Sequence, residues 1–289
     1  MRRVMVTGAS GLLGTAVVSA LQHDGQVLAL AHAHGREGMR AVDLADPLQR
    51  DALAAEDWSA LVHCAAFRSP DFCEQEPLVA RRLNAEAPIA LARMARARGA
   101  RMVHISTDYV FPGTHPPYRE DSPREAVNVY GQTKIEAEQG IGIEYPDAVI
   151  LRVGALYGLP TSTVPSPMLQ EALDAARAVT PQELDDRIVR CPSWVDDVAQ
   201  TIRFLLNADV RGLVHASAQQ SCTRYEWTRL VAGILGLSTA HLRPTDRDLS
   251  RPARRPVDSR LTVDRLRHLG GPVPRDAEIV LPSLAPRLR

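Results

Sequence analysis

The chain has 289 residues, 45% of them hydrophobic and 24% charged, which excludes wholesale disorder and leaves room for one large domain or one domain with a smaller partner. Its 34 Lys and Arg balance its 34 Asp and Glu, so no global field draws it to nucleic acid or to an anionic membrane. No apolar run approaches the roughly 20 residues of a membrane span, and Gly8, Ser10 and Gly11 interrupt the N-terminal run too early for a signal peptide, so a cytoplasmic protein is expected.

The first half alternates short apolar runs with longer helical patterns. Arg2 to Val6 reads as a strand, Leu12 to Leu21 as a helix, Val27 to Ala31 as a second strand and Met39 to Val42 as a short third. Helices are expected over Pro47 to Ala55, Leu78 to Arg98 and Asn128 to Ile141, with strands at Ala60 to Cys64, Arg101 to Ser106 and Ala148 to Val153. This alternation predicts a doubly wound, Rossmann-like α/β fold with a parallel sheet covered on both faces.

After Gly158 the pattern changes, and Pro160, Pro165, Pro167, Pro181 and Pro192 punctuate the chain. Helices are expected at Met168 to Ala178, Trp194 to Leu206 and Thr223 to Leu235, a strand at Gly212 to Ala216, and a surface loop from Arg243 to Pro256. The expected organisation is a dinucleotide-binding domain over 1–158, with 194–216 returning to it, and a smaller substrate lobe from 159–193 and 217–289. Cys64, Cys73, Cys191 and Cys222 show no zinc spacing, so no metal is implied.

Thr7-Gly8-Ala9-Ser10-Gly11-Leu12-Leu13-Gly14 lies between the first strand and the first helix. There a nucleotide diphosphate meets backbone N–H groups and the positive helix end. Gly8 suits the tight turn, Gly11 close approach of phosphate, and Gly14 helix packing, so a dinucleotide is the expected ligand. The end of the second strand carries no carboxylate before Glu37, and Arg36 with His34 favours NADP, NAD remaining open. Asp43 and Leu44 are candidates to hold the adenine.

Tyr130 and Lys134, at i and i+4, project from one face of a helix. A free phenol with a pKa of about 10 is a sluggish acid at neutral pH; the ammonium is expected to lower it, while the Thr107 hydroxyl holds a carbonyl oxygen beside Tyr130. Asp108 and Tyr109 are candidates to face substrate, although Tyr109 equally suits packing. Arg254, Arg255 and Arg260 are candidates for an anionic substrate or for a solvated loop. Asn84 is expected to serve structure, and Asp196 and Asp197 to favour a helix start.

The glycine turn, Ser106-Thr107-Asp108-Tyr109-Val110-Phe111 and Tyr130-Gly131-Gln132-Thr133-Lys134 together resemble the extended short-chain dehydrogenase/reductase superfamily. Within it, Pro117-Tyr118-Arg119-Glu120, Asn128-Val129-Tyr130-Gly131 and Arg255-Pro256-Val257-Asp258-Ser259-Arg260-Leu261 resemble the dTDP-4-dehydrorhamnose reductase group. A closer resemblance, carried by Leu61-Val62-His63-Cys64-Ala65-Ala66 and Thr114-His115-Pro116-Pro117-Tyr118, is to the regulatory β subunits of methionine adenosyltransferase in that group, which bind NADP but act as partners.

The resemblance implies that Ser10, Gly11, Leu12 and Leu13 meet the phosphates. It implies that Asp43, Leu44, Cys64 and Arg68 surround the adenosine half, that Ala65 and Ala66 also bind the cofactor, and that Leu156 lies near the nicotinamide half. Thr107, Tyr130 and Lys134 take the catalytic positions, Lys134 also bonding the nicotinamide ribose; Ala33 and His34 stand where the β subunits have arginines. Related sugar dehydratases carry Thr-Asp-Glu where this chain has Thr107-Asp108-Tyr109, so the implied activity is reduction of a nucleotide-linked 4-keto-6-deoxy sugar. The alternative is an NADP-binding regulatory or scaffold subunit without turnover; a homodimer and a partner enzyme are both compatible with these residues.

Overall fold

The computed structural model describes residues 3–22, 24–32, 37–159, 166–247 and 251–288. The strands are β1 (Arg3–Thr7), β2 (Gln26–Ala31), β3 (Arg40–Ala41), β4 (Ala60–His63), β5 (Arg101–Thr107), β6 (Val149–Val153), β7 (Leu156–Tyr157), β8 (Gln182–Asp185), β9 (Ser193–Trp194), β10 (Gly212–Ala216) and β11 (Leu242–Thr245). The α-helices are α1 (Leu12–Leu21), α2 (Pro47–Asp51), α3 (Pro70–Gln75), α4 (Pro77–Arg81), α5 (Ala87–Ala97), α6 (Val129–Glu144), α7 (Pro167–Arg177), α8 (Val195–Asn207), α9 (Arg224–Leu235), α10 (Asp264–His268) and α11 (Ala277–Leu284).

Among the described residues, seven strands form one sheet in the order β10-β6-β5-β4-β1-β2-β3, and every neighbouring pair is parallel. The winding reverses between β1 and β4, where the connections leave to opposite sides and open a crevice at the carboxyl ends. This is the Rossmann-like α/β architecture expected from the alternating pattern.

Side chains alternate across each strand, so each face has its own material. One face presents Val4, Val6, Val62, Val103, Leu151 and Val214 to α1 and α8. The other presents Met5, Leu61, Met102 and Ile150 to α5 and α6, through Leu91, Ala95 and Ile141. Towards the carboxyl ends this second face turns polar: Thr7 stands opposite His63, His63 opposite His104, Ser106 opposite Arg152, and Arg152 opposite His215. All six are buried.

The later part gathers α7, α9 and α11 around Tyr157, Trp194, Trp227 and Leu281. β8 and β11 form a separate two-stranded pair. Here the loop expected from Arg243 to Pro256 is corrected, because Leu242–Thr245 is a strand. Pro244 masks it in sequence, yet a strand with a single neighbour tolerates the missing N–H. The helix expected from Leu78 to Arg98 is also not continuous: a π turn at Arg82–Glu86 separates α4 from α5. Such a widened turn re-aims a side chain, here that of Asn84.

Candidate active site

A cavity of about 510 Å³ crosses the carboxyl ends of the sheet, from the glycine turn to α6. Gly8, Ser10, Gly11, Leu12 and Leu13 line one end. Gly11 caps α1 without any side-chain bond, and its first turn holds no acidic residue, so the positive helix end is left for a ligand. Gly14 makes this compact turn sterically feasible: a Cβ there would lie 2.1 Å from the Gly8 carbonyl oxygen.

Beyond the turn the wall is built from His32, Asp43, Leu44, Cys64, Ala65, Ala66 and Arg68. The Asp43 carboxylate accepts the Ala45 N–H at 2.9 Å, which fixes the loop after β3. Burial pushes the Cys64 thiol up to about 12, so it packs as a neutral group. His34 and Arg36 lie outside the described residues. Asn84 acts as a backbone surrogate, accepting the Phe67 N–H at 2.8 Å and donating to the Phe67 carbonyl at 3.0 Å. It thereby holds the loop that carries Arg68.

The other end is built on β5 and α6. Asn128 caps α6 by accepting the Gly131 N–H at 2.8 Å, and donates to the Arg254 carbonyl at 2.7 Å. Gly131 admits the helix to the turn that follows β5, since a Cβ there would sit 2.2 Å from the Tyr109 carbonyl oxygen. Tyr130 and Lys134 both line the cavity with Thr107, and Leu156 closes the wall nearby. Lys134 donates to the Ile105 carbonyl at 2.7 Å and lies 3.2 Å from Nε2 of His104. One turn further, Glu138 binds Arg152 at 2.7 Å and accepts from Ser106 at 2.6 Å.

The ionisation of the pair departs from the sequence expectation. Burial raises the Tyr130 phenol above its ordinary 10, with hydrogen bonding to Thr107 only partly opposing it and Asp108 adding to the rise. The expected lowering is overturned in this state, because burial of the phenol dominates its ionisation. Burial brings Lys134 down to about 8, against the upward pull of Glu138 and Cys64. Tyr130 is therefore a neutral, proton-carrying group at pH 7, and in this state a weaker acid than a free phenol.

Thr107 donates to Asp108 at 3.1 Å and accepts the Tyr109 N–H at 3.2 Å. Burial raises the Asp108 carboxyl, against Arg190, Ser259 and Thr107, which favour its charge. Tyr109 lines the cavity and also packs: its ring meets that of Tyr130 edge-on at 5.8 Å, and Arg190 lies 5.1 Å over its face. Arg255 and Arg260 do not line the cavity. Arg255 is bound to Asp71 at 2.7 Å and Arg260 to Asp258 at 2.7 Å, so each carries its own counter-charge. Arg254 contributes its carbonyl to Asn128.

The sequence pattern of the RmlD substrate binding domain family matches residues 1–288. The chain belongs to that family. This RmlD-family chain is 34% identical over 281 residues to methionine adenosyltransferase 2 subunit beta of Xenopus tropicalis, covering 93% of this chain and 83% of that protein. It is 36% identical over 275 residues to a probable dTDP-4,6-dihydroxy-2-methyloxan-3-one 4-ketoreductase of Streptomyces antibioticus, covering 93% of this chain and 89% of that protein. Its fold matches the dTDP-4-dehydrorhamnose reductase of Bacillus anthracis in complex with NADP, with TM-score 0.86 and 24% identity over 97% of this chain and 98% of that one.

Two residues of the cavity wall and one bonded behind it escape a reading of the sequence of this RmlD-family chain. Arg190 reaches the wall from the strand-poor stretch before β9, bonding the Tyr109 hydroxyl at 3.2 Å. His32 lines the wall beyond the glycine turn, 3.8 Å from Asp43. Ser259 binds the Asp108 carboxyl from 151 residues away. His32 had a local signal in its place directly after β2; Arg190 and Ser259 had none, because their partners are remote in sequence.

Proposed function

We propose that the chain is an NADP(H)-dependent reductase of a ketone, acting on a nucleotide-linked 4-keto-6-deoxy sugar. The observation that carries this reading is one cavity shared by the uncapped α1 N-terminus and by Thr107, Tyr130 and Lys134. The glycine turn would hold the diphosphate, His32, Asp43, Leu44, Ala65, Ala66 and Arg68 the adenosine half, and Lys134 and Leu156 the nicotinamide half. His32, not a carboxylate, directly follows β2, which supports the phosphorylated cofactor over NAD. A bound nicotinamide supplies a hydride to the carbonyl carbon.

The remaining steps belong to the side chains. Thr107 and Tyr130 hold the carbonyl oxygen, and Tyr130 gives it the phenolic proton as the C–H bond forms, leaving an alcohol. Lys134 then offsets the phenolate charge until a proton returns from solvent. Asp108, Tyr109 and Arg190 face the same space and would orient the sugar. We assign cofactor binding to 1–158 with 194–216, and sugar recognition to the remainder.

The test is NADPH oxidation with a panel of nucleotide 4-keto-6-deoxy sugars, wild type against Tyr130→Phe. Ketone-dependent oxidation that falls roughly 10² to 10⁴-fold in the variant supports the assignment; no oxidation with any sugar, in protein that binds NADPH, overturns it. The likeness to methionine adenosyltransferase 2 subunit beta favours a second reading, a cofactor-binding partner subunit without turnover. That reading predicts NADPH binding, no oxidation, and co-elution with a catalytic subunit.

A further inference from the structure

Lys134 is an amphipathic chain ending in a buried ammonium, and such a chain holds one direction only when its N–H groups are individually engaged. Two of the three are engaged by adjacent residues of β5, the Ile105 carbonyl at 2.7 Å and Nε2 of His104 at 3.2 Å. The third is left for the cavity that Lys134 lines. To accept an N–H at Nε2, His104 must be neutral with its proton on Nδ1.

His104 does not stand alone. Its ring stacks on that of His63, with centroids 5.2 Å apart and planes inclined by 17°. Nδ1 of His63 lies 2.7 Å from Oγ1 of Thr7, and that hydroxyl also accepts the Ala65 N–H at 3.3 Å. Thr7, His63 and His104 are in register on three adjacent strands, β1, β4 and β5. Thr7 is the last residue before Gly8, so this row runs from the glycine turn to the lysine.

We propose that His104 is a positioning residue for Lys134, its ring plane held by the stacked His63 that Thr7 fixes in turn, so that the glycine turn and the ammonium are kept in a fixed relation. The groups facing Lys134 fit this role. Glu138 on α6 is already bound to Arg152, Ser106 and Arg124, and Cys64 is a neutral thiol beside Ala65. Tyr130 on the same helix is a neutral phenol. Burial, Lys134 and His63 keep His104 uncharged well below neutral pH, and burial with Lys134 brings His63 down to about 3. The consequence for turnover rests on the reductase reading; the geometry does not.

The test is NMR of the full chain, without substrate. In the wild type the ¹⁵N shifts of His104 should show a bare Nε2 and a protonated Nδ1 from pH 6 to 8. Lys134 should titrate near pH 8. His104→Leu should lower that midpoint by about one pH unit or more, the size of a lost hydrogen bond to a charged group. His104→Gln, which keeps an acceptor, should recover most of the shift. NADPH affinity, followed by fluorescence against pH, should move with the same midpoint.

A proton on Nε2 of His104, or an unchanged Lys134 midpoint in folded His104→Leu, overturns the proposal. Should that variant fail to fold, the wild-type tautomer still decides. Neither measurement requires turnover, so a chain that reduces no keto sugar sinks the reductase reading and leaves this one testable.

Discussion

The two faces of the central sheet are made of different material. Towards α1 and α8 the contact is apolar throughout, with Val4, Val6, Val62, Val103 and Leu151 meeting Val17, Val198 and Ile202. Towards α6 an apolar layer of Met5, Leu61, Met102 and Ile150 gives way to a buried polar layer of Thr7, His63, His104, Ser106 and Arg152. The first face needs only volume and shape. The second needs named partners, because Lys134 and Glu138, one turn apart on α6, dock on it through hydrogen bonds. Hydrophobic burial is non-directional, whereas hydrogen bonds fix angle and distance, so the face that aims Lys134 is the polar one.

Removing a partner should therefore be far worse on the polar face than trimming volume on the apolar one. Glu138→Ala leaves the fully buried Arg152 without its carboxylate and should cost about 3–5 kcal/mol in chemical denaturation. Glu138→Leu combined with Arg152→Met should regain most of that loss, since an apolar pair of similar volume removes both charges together. A double variant no more stable than Glu138→Ala would break the comparison.

Lys134 gives the next effect, and its sign follows from the burial of the ammonium. Its pKa falls from an ordinary 10.5 to about 8 on folding. Between those values the unfolded chain still holds a proton that the folded chain has shed, so stability rises with pH across that window. The rise should approach about 3 kcal/mol for this group. Lys134→Met should abolish that part of the pH dependence, as read from denaturation midpoints at pH 7.5 and 10.

The smallest effect belongs to the apolar face. Ile202→Val should cost about 1 kcal/mol and leave the Lys134 titration where it was. A shift in that titration would show that the two faces are coupled through the sheet, against the division drawn between them.

Much of the frame was legible because its causes are local. β1, the glycine turn and α1 follow one another over residues 3–21, and apolar periodicity with glycine spacing was enough to read them. Tyr130 and Lys134 were legible for the same reason: a helix repeat puts them on one face, and the cavity takes in both, whereas Thr107, on β5, was named through its motif. β8 and β11 were not legible, since four-residue strands bearing Gln182, Glu183 and Pro244 lack the apolar alternation that marks a strand. Nor was the ion pairing of Arg255 and Arg260. Asp258 lies two residues from Arg260, but Asp71 lies 184 residues from Arg255.

The sequence by itself determined the alternation of strands and helices in the first half, the glycine turn and the shared helix face of Tyr130 and Lys134, because each depends on neighbours a few residues away. Tertiary structure alone decided what those side chains are as chemical groups. Tyr130 is raised and Lys134 lowered by burial that no local window records. Lys134 is aimed by His104 across a helix–strand contact 30 residues apart, and His104 is backed by His63 and Thr7 through strand registers that join residues 41 and 56 positions apart. Ionisation and direction are set by the field and the partners at a point in space, and those are assembled only when the sheet closes.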